Sequence, residues 1–593
     1  MPDFSLYGRS LVTGGAQGEV LYADIGLSFW GGVDPFSGEV IDRHHPLSGQ
    51  NIAGRVLALP SGRGSCTGSS VLLELILNGH APAALVLAQP EEILSLGVLV
   101  AQCLFERGLP VLCVGADGFE CLRQARFARV EGTRVAAYAS APVDDWTPTP
   151  LAADPSTTGS GLTLSDGDRA LLAGHQGKAA QVAMQIVVRM AELQGARELI
   201  DIAQAHIDGC IYTGPASLRF ARQLVEWGAA VRVPTTLNAI SVDQRRWRAL
   251  GIDPAFGEPA SALGDAYMAM GAQLSFTCAP YLLDSAPRAG EQVVWAESNA
   301  VVFANSVLAA RTQKYPDFLD ICIALTGRAP HSGAHLDEGR LASLRIEVTA
   351  PAQAQAQADD AFYPLLGYHV GALAGSQIPV ITGLERSAPS LDDLKAFGAA
   401  FATTSAAPMF HIVGVTPEAA SAEQALGGLA PRQVLHVTAC DLLASWRELN
   451  SADSPQLGLV ALGNPHFSLS ECAVLARFCQ GRSKHPDVAL VITCGRHVHE
   501  QARQAGHVAA LEAFGAQFVT DTCWCMLGEP LLPPSSGALM TNSAKYAHYA
   551  PGLVGRRVHF AGLAACVEAA CSGQASTALP AWLAPTSTAQ GVL

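Results

Sequence analysis

The sequence predicts an α/β fold in which a small domain is joined to a larger one. Short apolar segments alternate with longer segments whose apolar residues recur at helical spacing, a pattern typical of parallel sheets covered by helices. The chain has 593 residues, which is more than a single hydrophobic core of ordinary size contains. Apolar residues make up 49% of the chain and charged residues 15%, so we expect most of it to be folded.

The first 140 residues predict the small domain. Apolar segments at residues 55–59, 84–87 and 109–114 predict strands, and residues 70–78 and 94–107 predict the helices between them. We expect these strands to be buried on both faces, because their apolar residues are continuous rather than alternating.

A segment rich in Pro, Ser, Thr, Asp and Gly predicts a linker over residues 141–161, and residues 162–593 predict the larger domain. This domain begins with a helical segment at 165–203, in which we predict one long helix over 168–190. The repetitive segment 351–360 predicts an exposed loop. Strand-like segments alternate with helical ones through the rest of the domain, at residues 229–233, 273–276, 407–413, 456–462, 489–493 and 517–520.

Composition excludes several classes of function. The net charge is −15 without any run of Lys and Arg, so we expect no nucleic-acid partner and no membrane partner. No apolar segment is long enough to span a bilayer and none resembles a leader, so a cytoplasmic protein is expected. The 15 cysteines are not spaced like a disulfide framework, and most are expected to be reduced. Six that lie in apolar segments are expected to be buried without a chemical role: Cys103, Cys113, Cys322, Cys472, Cys479 and Cys566.

A glycine-rich loop, Gly62-Arg63-Gly64-Ser65-Cys66-Thr67-Gly68, lies between a predicted strand and a predicted helix. Backbone N–H groups and hydroxyls converge at such a turn and favour an anion, so Arg63, Gly64 and Cys66 are candidate contacts for a substrate carboxylate. An ordinary strand-to-helix loop with a hydroxyl cap is the alternative.

Further polar residues follow apolar segments, where side chains are placed to bind small molecules. Each of these groups could instead be a capped turn. The candidate substrate contacts are His206, Asp208, Gly209, Thr236, Asn238 and Lys545.

Three cysteines are placed differently from the rest. Cys278 ends an apolar segment at a turn that contains proline, and Cys523 and Cys525 follow a predicted strand in the motif Asp-Thr-Cys-Trp-Cys. If that motif is extended, residues two apart face the same side, and two thiolates could reach one metal centre. The spacing matches no standard zinc or ferredoxin motif, and a redox-inert pair is the alternative.

Several long motifs in the same order resemble the aconitase X family. The small-domain motifs are the Gly-Gly-Val-Asp-Pro sequence from Gly31, the His-Pro-Leu-Ser-Gly sequence from His45 and the Gly-Arg-Gly-Ser loop. The large-domain motifs are HIDGCIYTG from His206, VRVPTTLNA from Val231, FTCAPY, WAESNAV, FHIVGVTPEA, GNPHFSLSE and TNSAKYAHYAPG. The resemblance implies an aconitase-like fold, with a swivelling β/α domain fused to a multi-lobed catalytic region.

The resemblance also implies a chemistry. It assigns the role of catalytic base to Ser65 and the role of iron–sulfur cluster ligand to Cys278 and Cys523, and we add Cys525 as a third candidate ligand. The fused chain, the Asn-Pro-His-Phe motif and the Cys-Trp-Cys motif are similar to the family members that dehydrate cis-3-hydroxy-L-proline. These features imply a [2Fe–2S] cluster and a small hydroxy amino acid as substrate. A dehydratase of another hydroxy acid, such as phosphomevalonate, and a non-catalytic iron-binding protein are the alternatives.

Overall fold

The computed structural model describes residues 2–63, 65–142, 145–150, 161–349 and 358–584. Gly64, most of the predicted linker and most of the predicted loop at 351–360 lie outside the described residues. We use the term N-terminal region for residues 2–142 and C-terminal region for residues 161–584.

The N-terminal region is organised around a mixed eight-stranded sheet. Its central strands are parallel, and antiparallel strands flank them on both sides. In spatial order the strands are Phe4–Tyr7, Arg134–Tyr138, Phe127–Glu131, Gly15–Tyr22, Val56–Leu59, Ala84–Leu87, Val111–Cys113 and Arg9–Val12. The helices of this region are Gly68–Asn78, Glu92–Phe105 and Gly115–Cys121, with a 3₁₀ turn at Leu122–Gln124. Every residue of Val56–Leu59 and Ala84–Leu87 is buried, as their continuous apolar sequences predict.

The first part of the C-terminal region has one parallel sheet and one antiparallel pair. The parallel strands, in spatial order, are Thr235–Leu237, Ala205–Ile207 and Val294–Trp295. The antiparallel pair is Leu199–Asp201 with Arg328–Pro330. The helices are Asp166–Leu172, Lys178–Leu193, Pro215–Glu226, Pro254–Ala269, Ser298–Ser306 and Leu319–Thr326, with 3₁₀ turns at Pro280–Leu282, Gly333–His335 and Glu338–Arg340.

Two further sheets, both entirely parallel, complete the C-terminal region. The four-stranded sheet has the order His411–Ile412, Pro379–Thr382, Leu344–Val348 and Gln433–Val437, with helices Phe362–Ala374, Leu391–Thr404, Ala422–Ala425 and Ala439–Leu449. The five-stranded sheet has the order Ala516–Val519, Ala489–Thr493, Leu459–Leu462, Ala538–Thr541 and Arg557–Phe560. Its helices are Leu469–Cys479, Arg496–Gln504, His507–Phe514, Ala544–Val554 and Leu563–Ser572, with a 3₁₀ turn at Trp524–Met526.

The two regions pack together through a shared apolar core. One continuous cluster of buried side chains includes Leu57 and Leu72 of the N-terminal region and Ile207 and Leu237 of the C-terminal region. The α/β architecture with parallel sheets is therefore the predicted one. Within the described part of the chain, none of the helices combines the length and apolar character needed to cross a bilayer.

Some predicted elements were wrong in detail. The single helix at 168–190 is two helices, because the chain turns through Gly174 and Gly177 at φ of 78° and 95°. Residues 229–233 form no strand, because the N–H groups of Ala229, Val231 and Arg232 donate to carbonyls near the C-terminal ends of three helices. At 273–276 only Gln273 makes a bridge, and the chain turns at Phe276, which has φ of 37°.

The burial of cysteines was also predicted incorrectly in part. Cys322, Cys472, Cys479 and Cys566 are buried as expected, whereas Cys113 is only partly buried. Cys103 is exposed, because it lies in the last turn of the helix Glu92–Phe105, where the buried residues end at Ala101.

Candidate active site at the contact between the two regions

Ser65 lies in the loop that joins strand Val56–Leu59 to helix Gly68–Asn78. Its hydroxyl donates to Thr67 Oγ1 over 3.1 Å, and its Oγ accepts from the backbone N–H of Thr67 over 3.3 Å. Both bonds are local, as a tight turn before a helix start favours. Together they fix the position of the Ser65 hydroxyl against Thr67.

Thr67 connects this loop to the C-terminal region. Its hydroxyl donates to Asp208 Oδ2 over 3.3 Å, and Asp208 follows directly after strand Ala205–Ile207. The side-chain amide of Asn238 donates to Asp208 Oδ1. The predicted contacts Asp208 and Asn238 are thus brought together with Ser65, through a residue that sequence reasoning did not single out.

Three buried carboxyl groups cluster at this point. Asp320 accepts from the backbone N–H groups of Asp208 and Gly209 over 2.7 and 3.2 Å. Asp317 accepts from the Ser70 hydroxyl over 2.8 Å and interacts with the Asp208 carboxyl. Burial, together with repulsion from Glu297 and Asp320, raises the pKa of Asp208 to about 7. Burial raises the pKa of Asp320 to about 6.

The three predicted cluster cysteines lie side by side. The Cys523 thiol interacts with the thiols of Cys278 and Cys525, so we refer to these three residues as the thiol row. The side-chain amide of Asn464 donates to Cys525 Sγ over 3.2 Å, and the backbone N–H of His466 donates to Cys278 Sγ over 3.3 Å. The Asn-Pro-His motif noted in the sequence therefore donates hydrogen bonds directly to the thiol row.

The donor set of the thiol row fits an iron–sulfur cluster. Thiols are the usual ligands of cluster iron, and N–H donors to sulfur stabilise them as thiolates. The fit is one of donor chemistry, because within the described residues no three His, Cys, Asp or Glu side chains, the thiol row included, are arranged to hold a single metal ion. Interaction with the Cys278 thiol, together with burial, raises the pKa of Cys523 to about 12. Iron must therefore displace thiol protons when it binds.

An ion pair lies next to the thiol row. The Lys545 ammonium donates to Glu297 Oε1 over 2.9 Å, and the two side chains are only 13% and 7% exposed. Burial lowers the pKa of Lys545, but the attraction of Glu297 and of the three thiols is larger in sum and raises it well above its ordinary value. Lys545 is therefore a fixed cation beside the thiols. Glu297 was not predicted, although it lies in the motif that begins at Trp295.

Lys314 interacts electrostatically with Cys66 of the N-terminal region and with Glu297 and Lys545 of the C-terminal region. Burial lowers its pKa, and its ammonium donates to the Ser405 carbonyl over 2.8 Å. Lys314 also lines a cleft of about 290 Å³ between the two regions. No motif in the sequence pointed to this lysine.

The remaining predicted contacts have structural partners. His206 Nδ1 pairs with Thr236 Oγ1 over 2.9 Å, and burial lowers the pKa of His206 to about 3, so its ring is neutral. The Arg63 guanidinium donates to Asp42 Oδ2 over 2.8 Å. The Cys66 carbonyl accepts from the backbone N–H of Asp317, a further link between the two regions.

Domains of one known protein family match almost the whole chain. The matching family descriptions are the aconitase X swivel domain at residues 5–137, the first domain at 161–338, the second domain at 342–447 and the third domain at 457–572. A relative from Pseudomonas aeruginosa, named cis-3-hydroxy-L-proline dehydratase, is 62% identical over 97% of this chain and 98% of its own length. The chain belongs to the aconitase X family.

More distant relatives match about two thirds of the chain. The phosphomevalonate dehydratase large subunit of Methanothermobacter thermautotrophicus is 35% identical over 64% of this chain and 92% of its own length. The crystal structure of Thermococcus kodakaraensis aconitase X in its holo-form is 31% identical and covers 69% of this chain and all of its own, with a TM-score of 0.62. The predicted family and fold are thereby confirmed, and the family is typically dependent on iron–sulfur clusters. The boundaries of our two-domain division stay a prediction.

Proposed function

We propose that this aconitase X protein is a hydro-lyase that converts cis-3-hydroxy-L-proline into Δ1-pyrroline-2-carboxylate and water. The observation that carries the proposal is 62% identity over nearly the full length of both chains with a relative named for that activity. The site is compatible with this chemistry, because the Ser65 hydroxyl is linked through Thr67 to Asp208. Asp208 interacts with the buried cation Lys545, which in turn interacts with the three thiols.

The stereochemistry of the substrate suits a base on one side. In cis-3-hydroxy-L-proline the hydroxyl and the carboxylate share a ring face, so the Cα–H bond points to the opposite face and anti elimination is possible. We assign the removal of the α-proton to Ser65. The first product is an enamine, which tautomerises to the cyclic imine.

We assign the ligands of a [2Fe–2S] cluster to Cys278, Cys523 and Cys525. When bound, such a cluster supplies Lewis-acid stabilisation of the negative charge that develops during elimination. The chain's own contribution at this point is the fixed cation Lys545, which lies within electrostatic reach of all three thiols. Asn464 and His466 position two of the sulfur atoms through their N–H donors.

A phosphorylated substrate fits the site less well. A phosphate group is best bound by several cations with free donors. Near Ser65 and the thiol row, Lys545 is paired with Glu297 and Arg63 with Asp42. The ammonium of Lys314 has a carbonyl partner. A small amino acid with one carboxylate demands less positive charge than phosphomevalonate does.

The test is a substrate panel. Protein purified without oxygen is incubated with cis- and trans-3-hydroxy-L-proline, cis- and trans-4-hydroxy-L-proline and phosphomevalonate, in the presence of a reagent that traps cyclic imines. We expect imine from cis-3-hydroxy-L-proline alone. Turnover of phosphomevalonate instead, or no turnover of any compound by iron-loaded protein, would contradict the proposed function.

A further inference from the structure

An unbroken chain of hydrogen bonds runs from the Ser65 hydroxyl into the C-terminal region. Ser65 donates to Thr67 Oγ1, and Thr67 donates in turn to Asp208 Oδ2, over 3.1 and 3.3 Å. Both donors point in the same direction, away from Ser65. The final acceptor is the Asp208 carboxyl group. Because Asp208 is only 2% exposed, bulk water does not compete with it for the hydrogen bond from Thr67.

Ser65 needs such an acceptor if it removes the α-proton of the substrate. A neutral hydroxyl is a weak base, and a serine is made reactive by a neighbouring group that takes its proton. Arg63 is the nearest arginine in the sequence of the loop, but its guanidinium is directed to Asp42. An arginine could also stabilise an alkoxide but could not accept a proton from it.

We propose that Thr67 and Asp208 form a relay that takes the proton of Ser65, an inference that rests on the proposed function. The Ser65 proton passes to Thr67 Oγ1 while the Thr67 proton passes to Asp208 Oδ2. This leaves an alkoxide on Ser65, a neutral hydroxyl on Thr67 and a carboxylic acid at Asp208. The Ser65 alkoxide then takes the α-proton of the substrate, and no charge or proton is created or lost.

The surroundings of Asp208 make its carboxylate a suitable acceptor. Burial and the negative neighbours Glu297 and Asp320 favour the protonated form, whereas the Asn238 amide and the Lys545 ammonium favour the ionised form. The carboxyl of Asp317, whose own pKa burial raises well above its ordinary value, also interacts with Asp208. The balance raises the pKa of Asp208 to about 7. A proton acceptor works best when its pKa lies near the working pH. We therefore expect kcat/KM to rise with pH through about 7, as Asp208 loses its proton.

Three variants test the relay in the iron-loaded full chain. Thr67→Val removes the hydroxyl while it keeps the branched shape, Thr67→Ser keeps the hydroxyl, and Asp208→Asn keeps the shape of the acceptor without its basicity. We expect kcat for cis-3-hydroxy-L-proline to fall at least about 100-fold in Thr67→Val and Asp208→Asn, with KM within about threefold of wild type. Thr67→Ser should retain most of the activity and the same acidic limb of the pH profile.

The outcomes separate the relay from the proposed function. If wild type releases imine and Thr67→Val is equally fast, or if Thr67→Val is slow with an unchanged acidic limb, the relay is wrong and the function stands. Equal losses of kcat in Thr67→Ser and Thr67→Val would indicate that Thr67 acts through packing rather than through proton transfer, and would also overturn the relay. Absence of imine with wild type would overturn the function and the relay together. Because Asp208→Asn could disturb folding, the pair of Thr67 variants decides the question.

Discussion

Replacement of Ser65 by alanine separates the chemical role of the hydroxyl from its structural role. The structural loss is one side-chain hydrogen bond to Thr67 and one from the Thr67 N–H, worth about 1 kcal/mol each. Loss of a general base typically slows a reaction by about 10²–10⁴, or about 3–6 kcal/mol at 1.4 kcal/mol per factor of ten. We therefore expect kcat to fall by at least two orders of magnitude while iron content and KM change little.

Ser69→Ala is the matched control. Ser69 is buried four residues further along, and its hydroxyl donates to the Ile93 carbonyl over 2.7 Å. Its removal costs a comparable hydrogen bond outside the chain that joins Ser65 to Asp208. Steady-state kinetics with imine trapping and iron analysis should find Ser69→Ala close to wild type. Ser65→Ala activity within tenfold of wild type would refute the assignment of Ser65 as base.

Other predictions concern the cluster, the contact between the regions and pH. Cys278→Ser and Cys523→Ser should lose bound iron and sulfide. Cys472→Ser, which removes a buried thiol elsewhere, should keep both. Full iron content in the Cys278 and Cys523 variants would refute their assignment as cluster ligands. Glu74→Gln should weaken the contact between the two regions by about 1 kcal/mol, because Glu74 Oε2 accepts from the Ala216 N–H at the start of the helix Pro215–Glu226 over 2.7 Å. Unchanged hydrogen exchange in the first turn of this helix would contradict the prediction. Burial lowers the pKa of His335 from 6.5 to about 3. Since the unfolded chain binds this proton more readily, the free energy of unfolding should fall by about 2 kcal/mol on going from above pH 7 to pH 5. Urea titrations should show this extra loss in wild type but not in His335→Gln. The same dependence of unfolding free energy on pH in both proteins would refute the prediction.

The sequence was sufficient to locate most candidate site residues, but not their connections. Ser65, Asp208 and Asn238 were each recognisable from a turn motif after an apolar strand, and the structure brings them into one hydrogen-bonded group. Thr67 was present in the same loop motif, yet nothing in the sequence indicated that its hydroxyl faces Asp208, 141 residues away. Asp317, Asp320 and Lys314 lacked any motif, since their importance comes only from what they face.

Local errors have a similar origin. Apolar segments at 229–233 and 273–276 have strand-like composition, but the N–H groups of Ala229, Val231 and Arg232 donate to carbonyls near helix ends, and in the second segment only Gln273 makes a bridge. Periodicity also could not reveal that the helix Glu92–Phe105 leaves the core before Cys103. Whether such a segment becomes a strand, or such a cysteine is buried, depends on the neighbouring elements that it contacts in the fold, and the local sequence pattern does not specify these neighbours.

By itself, the sequence determined the α/β architecture and the buried central strands, because apolar periodicity and continuous apolar segments are local properties that burial must satisfy. The motifs also determined the family. Only the tertiary structure decided that the loop of Ser65 meets Asp208, that Cys278 lies beside Cys523, and that Lys545 is paired with Glu297. These contacts join residues that are far apart in the chain, and their electrostatics arise from burial in a common interior.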